Sequence, residues 1–466
     1  MTQTTDKPRR PLWRRILTGP TNKPKRPLRL RILKWTIRAV VLLLVLGLLT
    51  HTMWNYIATR RLDAELARIR AAGEPTTFGE LARSVKKYPA AEDAAPFYAA
   101  AMELLRRDLY DRVDRLDARL PSDPNLDLRP AAPLLAEMHS LTDQDHLTLE
   151  MLDRGSARPG CNFDLGLRYG LIAAMDKLPA SRAVARASSR RTRLLAFQGD
   201  GNAAAESAVS ALRMLRMFDD QPILVAHFVK MGCQSLTVSD IEIVLRYGRP
   251  SAEALTKLEQ ALRQAEDSFD LRRVFQAERV YALEICRSAV FSLWGMGTED
   301  SYMGPAQMPG GWWAEPMNKT MTIGILRVDA QFIELVGKGW PAMADGVSSV
   351  ARSDTGSWPF NMFAEISAAG LDVAITTSGR VLATLRSARV AVLIERYRLQ
   401  KQQLPAGLEE LSKHFGQELP ADPFTGKGLI YRQEPGGYVV YSVGDDRKDD
   451  QAAKLGQTDW GVRVRQ

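Results

Sequence analysis

The chain of 466 residues reads as a mainly α protein: a single N-terminal transmembrane helix, an α-helical hairpin bundle or irregular solenoid, and a small C-terminal α+β unit with a β-hairpin. Three observations predict this class. Ala39 to Ala58 runs without an acid, Lys or Arg; most of the chain beyond it has helical periodicity broken at short intervals; and two β-rich stretches near the end flank Pro435 and Gly436.

The apolar run, "AVVLLLVLGLLTHTMWNYIA", spans roughly 30 Å as a helix, the thickness of a bilayer core. Trp35, Trp54 and Tyr56 stand where interfacial aromatics belong. No small-residue cleavage site closes the run, and "ATRRLDAELARIRAAG" continues in helical register, so an uncleaved signal anchor is expected. Residues 1–38 hold twelve Lys and Arg against the single Asp6, so a tail of about +11 precedes a remainder of about −2. The positive-inside rule places that tail in the cytoplasm and the bulk of the chain outside, in the periplasm if the host membrane is a bacterial inner membrane. With no aromatic ladder or folded basic face beside it, the tail predicts solvation or contact with anionic lipid, and no nucleic-acid partner. Cys161, Cys233 and Cys286 form no CxxC, which argues against a zinc cluster or a disulfide scaffold.

Membrane-proximal helices are expected over 59–120, then a linker at 121–133 whose four prolines forbid a continued helix. The body, 134–368, is a series of helices with breaks at "GSARPG", "LPAS", "QGDGN", "DDQP" and "YGRPSAE". Loops this short make antiparallel hairpins, and the pair around "QGDG" has the small-residue spacing of helical repeats without a persistent period. Residues 294–317, rich in Gly, Pro, Met and Trp, predict an irregular loop in which Trp312 and Trp313 either cover the helices or form a binding lid. A second pause is expected over 337–360. The last unit, 369–466, opens with a long helix from about Ala369 to Gln400 bearing a stripe of Val381, Leu385, Ala388, Val392 and Leu399.

Beyond it, 428–433 and 437–443 read as hairpin strands around a type II turn. "GDDRKDDQAAKLGQTDW" then offers Asp445, Asp446, Asp449, Asp450 and Asp459, carboxylates that repel unless solvated, paired or joined by a cation. A helix ending "ERYRLQKQQLP", the "GLEEL" helix, "LPADPFTGKGLIY", "YVVYSVG", the Asp-rich loop and the final "DW" together resemble the C-terminal domain of the major pseudopilin of type II secretion systems. The resemblance covers 381–464. It implies calcium in the acidic loop, on Asp445, Asp449 and Asp459, with Asp446 and Asp450 as alternates. The pattern departs from a pilus subunit at the other end, where the apolar helix has no Glu and lies about 320 residues from this unit. The whole arrangement also resembles a group of bacterial membrane-anchored proteins with a helical middle and this tail, which implies an architecture and no activity.

Candidate chemistry is sparse. His139 and His146 stand two turns apart with Asp143 between them, a pattern that fits a solvated polar face better than a metal site. "SDTGS" at 354–357 and its flank spell a short aspartic-protease signature without a preceding apolar strand or a second copy. GxSxG, Walker A and Rossmann glycine patterns are missing from the sequence. One residue stands out: Glu278 falls on an apolar stripe of Val274, Phe275, Tyr281, Ala282 and Ile285, where a carboxylate needs a partner, either Arg279 or an arginine from another helix. Two functions are expected from these readings: a non-enzymatic interaction or scaffold protein of the cell envelope, secretion-related and holding a protein partner, or an extracytoplasmic hydrolase that uses Glu278 beneath Trp312 and Trp313.

Overall fold

The computed structural model describes residues 28–105, 115–116, 118–120, 128–164, 177–219, 223–288, 311–350 and 361–465. Among them are fourteen helices and one three-stranded antiparallel sheet. The chain divides into two units, Met1–Thr59 and Arg60–Gln466.

In the first unit the described residues belong to α1 (Leu28–Ala71). An 18-residue window of this helix has a mean hydropathy of 2.2, and its large apolar side chains from Ile32 to Ile57 are exposed. Its hydroxyls are absorbed locally: Thr36, Thr50 and Thr52 donate to the carbonyls of Ile32, Leu46 and Leu48 at 2.7–2.8 Å, which removes free donors from an apolar surface. By length and composition this helix can cross a membrane.

The second unit is built on α2 (Phe78–Arg83), α3 (Ala95–Leu104), α4 (Ala132–Gln144), α5 (His146–Ser156), α6 (Leu178–Phe197), α7 (Gly201–Met214), α8 (Leu224–Ile243), α9 (Ala252–Asp267), α10 (Leu271–Ser288), α11 (Gly311–Val336), α12 (Ala342–Val350), α13 (Met362–Lys401) and α14 (Leu408–Phe415). Its breaks have chemical causes. Gly199 takes φ +84° and Asp200 caps α7 by accepting the Ala203 N–H. Arg249 turns left-handed before Pro250, and Ser251 caps α9 at 3.3 Å. Gly201 is needed at the α7 start, because a Cβ there would lie 2.1 Å from the Gly248 carbonyl oxygen. Asp145 separates α4 from α5, its buried carboxylate paired with Arg190 of α6. That break places His139 and His146 on two different helices and removes the expected common face.

Helix α13 is the axis. The stripe residues Val381, Leu385, Ala388 and Val392 are buried, and so are Ala383, Val390, Ala391, Leu393 and Ile394 on its other faces; Leu399, 43 % exposed, lies past the end of the packed segment. A helix covered on all sides must have partners all round. On one side Leu255, Leu258 and Leu262 of α9 share its core, and on another Tyr438, Val440, Val462 and Val464 of the sheet do. Residues of 134–368 and of 369–466 thus build one hydrophobic core. Arg389 inserts its guanidinium against α9, with Nε 2.8 Å from Glu259 and Nη1 3.3 Å from Glu266.

Strands β1 (Ile430–Glu434) and β2 (Gly437–Ser442) pair across Pro435 and Gly436, Glu434 opposite Gly437, and Gly436 takes the positive φ that the turn requires. A third strand, β3 (Trp460–Arg465), which the sequence pattern did not predict, pairs antiparallel with β2. The two-residue alternation of β2 serves two layers: Tyr438 and Val440 face α13, while Val439 and Tyr441 pack with Ala452 of the loop 443–459.

Two expectations of irregular structure need correction. Residues 311–317 belong to the first turns of α11, in which Pro316 is accommodated early and its carbonyl accepts the Thr320 hydroxyl at 2.7 Å. Residues 342–350, within the expected second pause, form α12 behind Pro341. The rest of the loop, 294–310, the "SDTGS" stretch, most of the basic tail and linker residues 121–127 lie outside the described residues, as does the Cys286 side chain. Cys161 and Cys233 are buried thiols that form no disulfide.

Replacing Arg389 with Met leaves Glu259 without its cation and Glu266 with Arg386 alone, 4.0 Å away. Urea unfolding should show a loss of about 3–5 kcal/mol; a loss below about 1 kcal/mol would mean that the pair is solvated.

Candidate functional site

Helix α10 buries Val274, Phe275, Ala277, Val280 and Leu283, with Phe275 edge-on to Phe332 of α11 at 6.1 Å. The expected pairing of Glu278 with Arg279 does not form. Neighbouring residues on a helix point about 100° apart, and the two side chains leave in different directions. Arg279, buried, reaches Glu74 in the turn after α1 at 2.8 Å, and Gln276 and Arg272 add bonds to the same carboxylate at 3.0 and 3.3 Å. Burial pushes the Glu74 carboxyl up, but the Arg279 bond and charge and the other two bonds outweigh it and hold the group below its ordinary value.

Glu278 turns to the start of α8, where Ile223 offers no side-chain cap. The Leu224 N–H stabilises its carboxylate, yet desolvation dominates and pushes the group up to about 7. Asp329 of α11 is fully buried in the same region. Its Oδ1 accepts the Ser367 hydroxyl at 2.9 Å, and its Oδ2 has no partner among the described residues. Burial first, and the Glu278 charge second, push Asp329 up to about 7 against the Ser367 bond and the Arg279 charge. The result is a pair of carboxyls that both hold protons close to neutrality, an arrangement able to donate as well as accept a proton. Neither lines any of three cavities, of about 180, 500 and 730 Å³, that open elsewhere on the body. Asp329 escaped sequence reasoning, although an acid set among the apolar residues of "IGILRVDAQFI" was a readable signal.

Trp312 and Trp313 stand at the start of α11, and their side chains lie outside those described, as does their meeting with Glu278. The histidines are structural in their surroundings. His139 bonds Asp143 at 2.8 Å, His146 bonds the Asp143 carbonyl at 2.8 Å, and His227, bonded to Ser378, is pushed down to about 3 by burial and by Lys230.

In the acidic loop Asp445, Asp446, Asp449 and Asp459 have separate partners. Asp445 is held bidentate by Arg380 at 2.9 Å on both oxygens, and that bond keeps it below the usual carboxylate range. Asp449 accepts the Tyr441 hydroxyl and the Gln451 N–H, both at 2.8 Å, and Asp446 accepts the Lys448 N–H at 3.0 Å. Arg447 pairs with Asp345 of α12. Asp459 is fully buried; Oδ2 accepts the Ala452 N–H at 2.8 Å, while Oδ1 has no hydrogen bond of good geometry. Burial raises the Asp459 carboxyl, and Asp449 and Asp450 add to the shift against the Ala452 and Asp450 N–H groups. Among the described residues, no three His, Cys, Asp or Glu side chains are gathered as a bound metal would need.

Comparisons of the chain with protein-family models, with curated proteins and with solved structures find no match. The functional reading therefore rests on this geometry.

Glu278 and Asp329 both bind their protons more tightly in the folded state than in the unfolded chain. Their contribution to stability is complete below the ordinary carboxylate range and is lost as pH rises through about 7. Glu278→Gln and Asp329→Asn should each raise the melting temperature at about pH 8 by roughly 2–4 °C, with the gain vanishing near pH 4. A gain of equal size at both pH values would contradict the raised pKa.

Proposed function

We propose that the chain is a single-pass membrane protein whose bulk lies outside the cytoplasm and acts there by binding, as an interaction or scaffold protein of the bacterial cell envelope. The exposed apolar surface of α1 and the basic tail that precedes it support the anchor and its orientation. The observation that carries the binding reading is the structural employment of the acids of the helical body. Glu278 accepts a helix-start N–H, Asp329 holds Ser367, and Glu259 and Glu266 hold Arg389.

The competing reading, a hydrolytic site on Glu278, is favoured by two carboxyls poised near 7. Neither acid lines the cavities of about 180, 500 and 730 Å³ described above, and the Trp312 and Trp313 side chains that this reading needs lie outside the described residues. Crosslinking and affinity capture of the intact protein from native membranes should recover a stoichiometric protein partner, and Glu278→Gln should recover it equally. Recovery of the chain alone, or a hydrolysis abolished by Glu278→Gln, would overturn the binding reading.

Calcium in the terminal loop belongs to this reading through the pseudopilin resemblance, and the residues fit it in part. Asp459, whose buried Oδ1 has no hydrogen bond of good geometry among the described residues, and Asp449, whose charge it feels, would hold the ion; Asp445 is engaged by Arg380. Calcium at about 1 mM should raise the melting temperature over that in chelator. Asp459→Asn should abolish the rise and Asp445→Asn should leave it. Equal melting temperatures with calcium and chelator would remove the ion.

A further inference from the structure

The cavity of about 500 Å³ lies between the end of α5, the turn after α7, α8 and α9. Its size suits a small molecule. Its lining is cationic, and two groups in it, one half-buried and one fully buried, have no partner of complementary chemistry among the described residues.

The first is Arg213. No carboxylate among the described residues pairs with it, and the charge that it feels most strongly is that of Arg216, which repels it. Burial, followed by that repulsion, holds the Arg213 guanidinium below its ordinary value. Arg216 itself is fixed in place: Nε bonds the Arg213 carbonyl at 3.2 Å, and Nη1 bonds the carbonyls of Arg158 and Pro159 at 3.2 and 2.9 Å. These acceptors are neutral, and no carboxylate among the described residues is bonded to it. The acid in the lining, Asp219, is already bonded to Lys230 at 2.7 Å.

The second is Gln234 of α8, fully buried and a lining residue, whose Oε1 and Nε2 are both without a hydrogen-bond partner among the described residues. A buried amide that satisfies neither its acceptor nor its donors is costly unless something else completes it. Two crowded guanidinium groups beside an unsatisfied amide form a site that an oxyanion would complete, since it takes charge-assisted bonds from arginine and an N–H from the amide.

We propose that this cavity binds the carboxylate or phosphate group of a small polar molecule, with Arg213 as the charge partner, Arg216 as the fixed second cation and Gln234 as the hydrogen-bonding floor. The proposal goes beyond the anchored binding reading and does not depend on it, because the whole site lies within the helical body.

The test is calorimetric titration of the purified full chain in detergent at low ionic strength with two probes, inorganic phosphate and succinate. Saturable binding of at least one is expected, and the tighter of the two names the oxyanion. Arg213→Gln should weaken binding at least about tenfold, and added salt should weaken it further. Absence of saturable binding by either probe, or equal binding by parent and Arg213→Gln, overturns the proposal. Should Arg213→Gln fail to fold, the parent alone decides: phenylglyoxal modification of Arg213, followed by peptide mass spectrometry, should slow in the presence of the bound probe. An unchanged rate would overturn the assignment.

Discussion

The all-round burial of α13 governs the second unit. A helix whose segment 381–394 is apolar on nearly every face cannot sit at a surface, so α9, α8 and α11 on one side and the sheet on the other are obliged to close around it. Arg389 is the main polar feature of that buried segment, and its fork bonds two acids of α9. A buried cation with two buried acids adds little net stability over an apolar contact, but it penalises any other register of α13 on α9, because a slipped helix would break the Arg389 bonds to both acids. The same helix accepts the Tyr438 hydroxyl at its Ala391 carbonyl, 3.1 Å away, and at Glu395, 2.9 Å away. Both halves of the core are thus keyed to one element.

This arrangement changes what the terminal segment is within the molecule. Its sheet buries one face on α13 and covers the other with its own acidic loop, so the unit works as a wall of the body rather than an appended module. Arg380 of α13 ties that loop down through Asp445, and Arg447 ties it to α12. The cationic cavity, the half-buried Glu278 and the buried Asp329 lie in the helical part, with groups drawn from several helices in each case.

How much of this was legible in the sequence depends on distance along the chain. The apolar span, the hairpin and α13 rest on patterns contained in a few turns or a single loop, and each can be read locally. Strand β3 carries an inward alternation at Val462 and Val464, but its partner lies across the loop 443–459, so the pattern alone did not identify it. Glu278 was visible as an acid on an apolar stripe. Its surroundings were not, because Leu224 and Asp329 come from other helices and the adjacent Arg279 points to Glu74. The Arg389 partners stand more than a hundred residues away, and Gln234, Arg213 and Arg216 look like ordinary helical residues until folding gathers them.

The central claim is that α13 fuses the helical body and the terminal sheet into one cooperative core. Native-state hydrogen exchange on the intact protein, resolved by segment, tests it most directly. Amides of α13, α9 and β2 should exchange with a common free energy equal to that of global unfolding. Exchange of the sheet at a distinctly lower free energy, while α13 and α9 stay protected, would show a separate terminal domain and contradict the account.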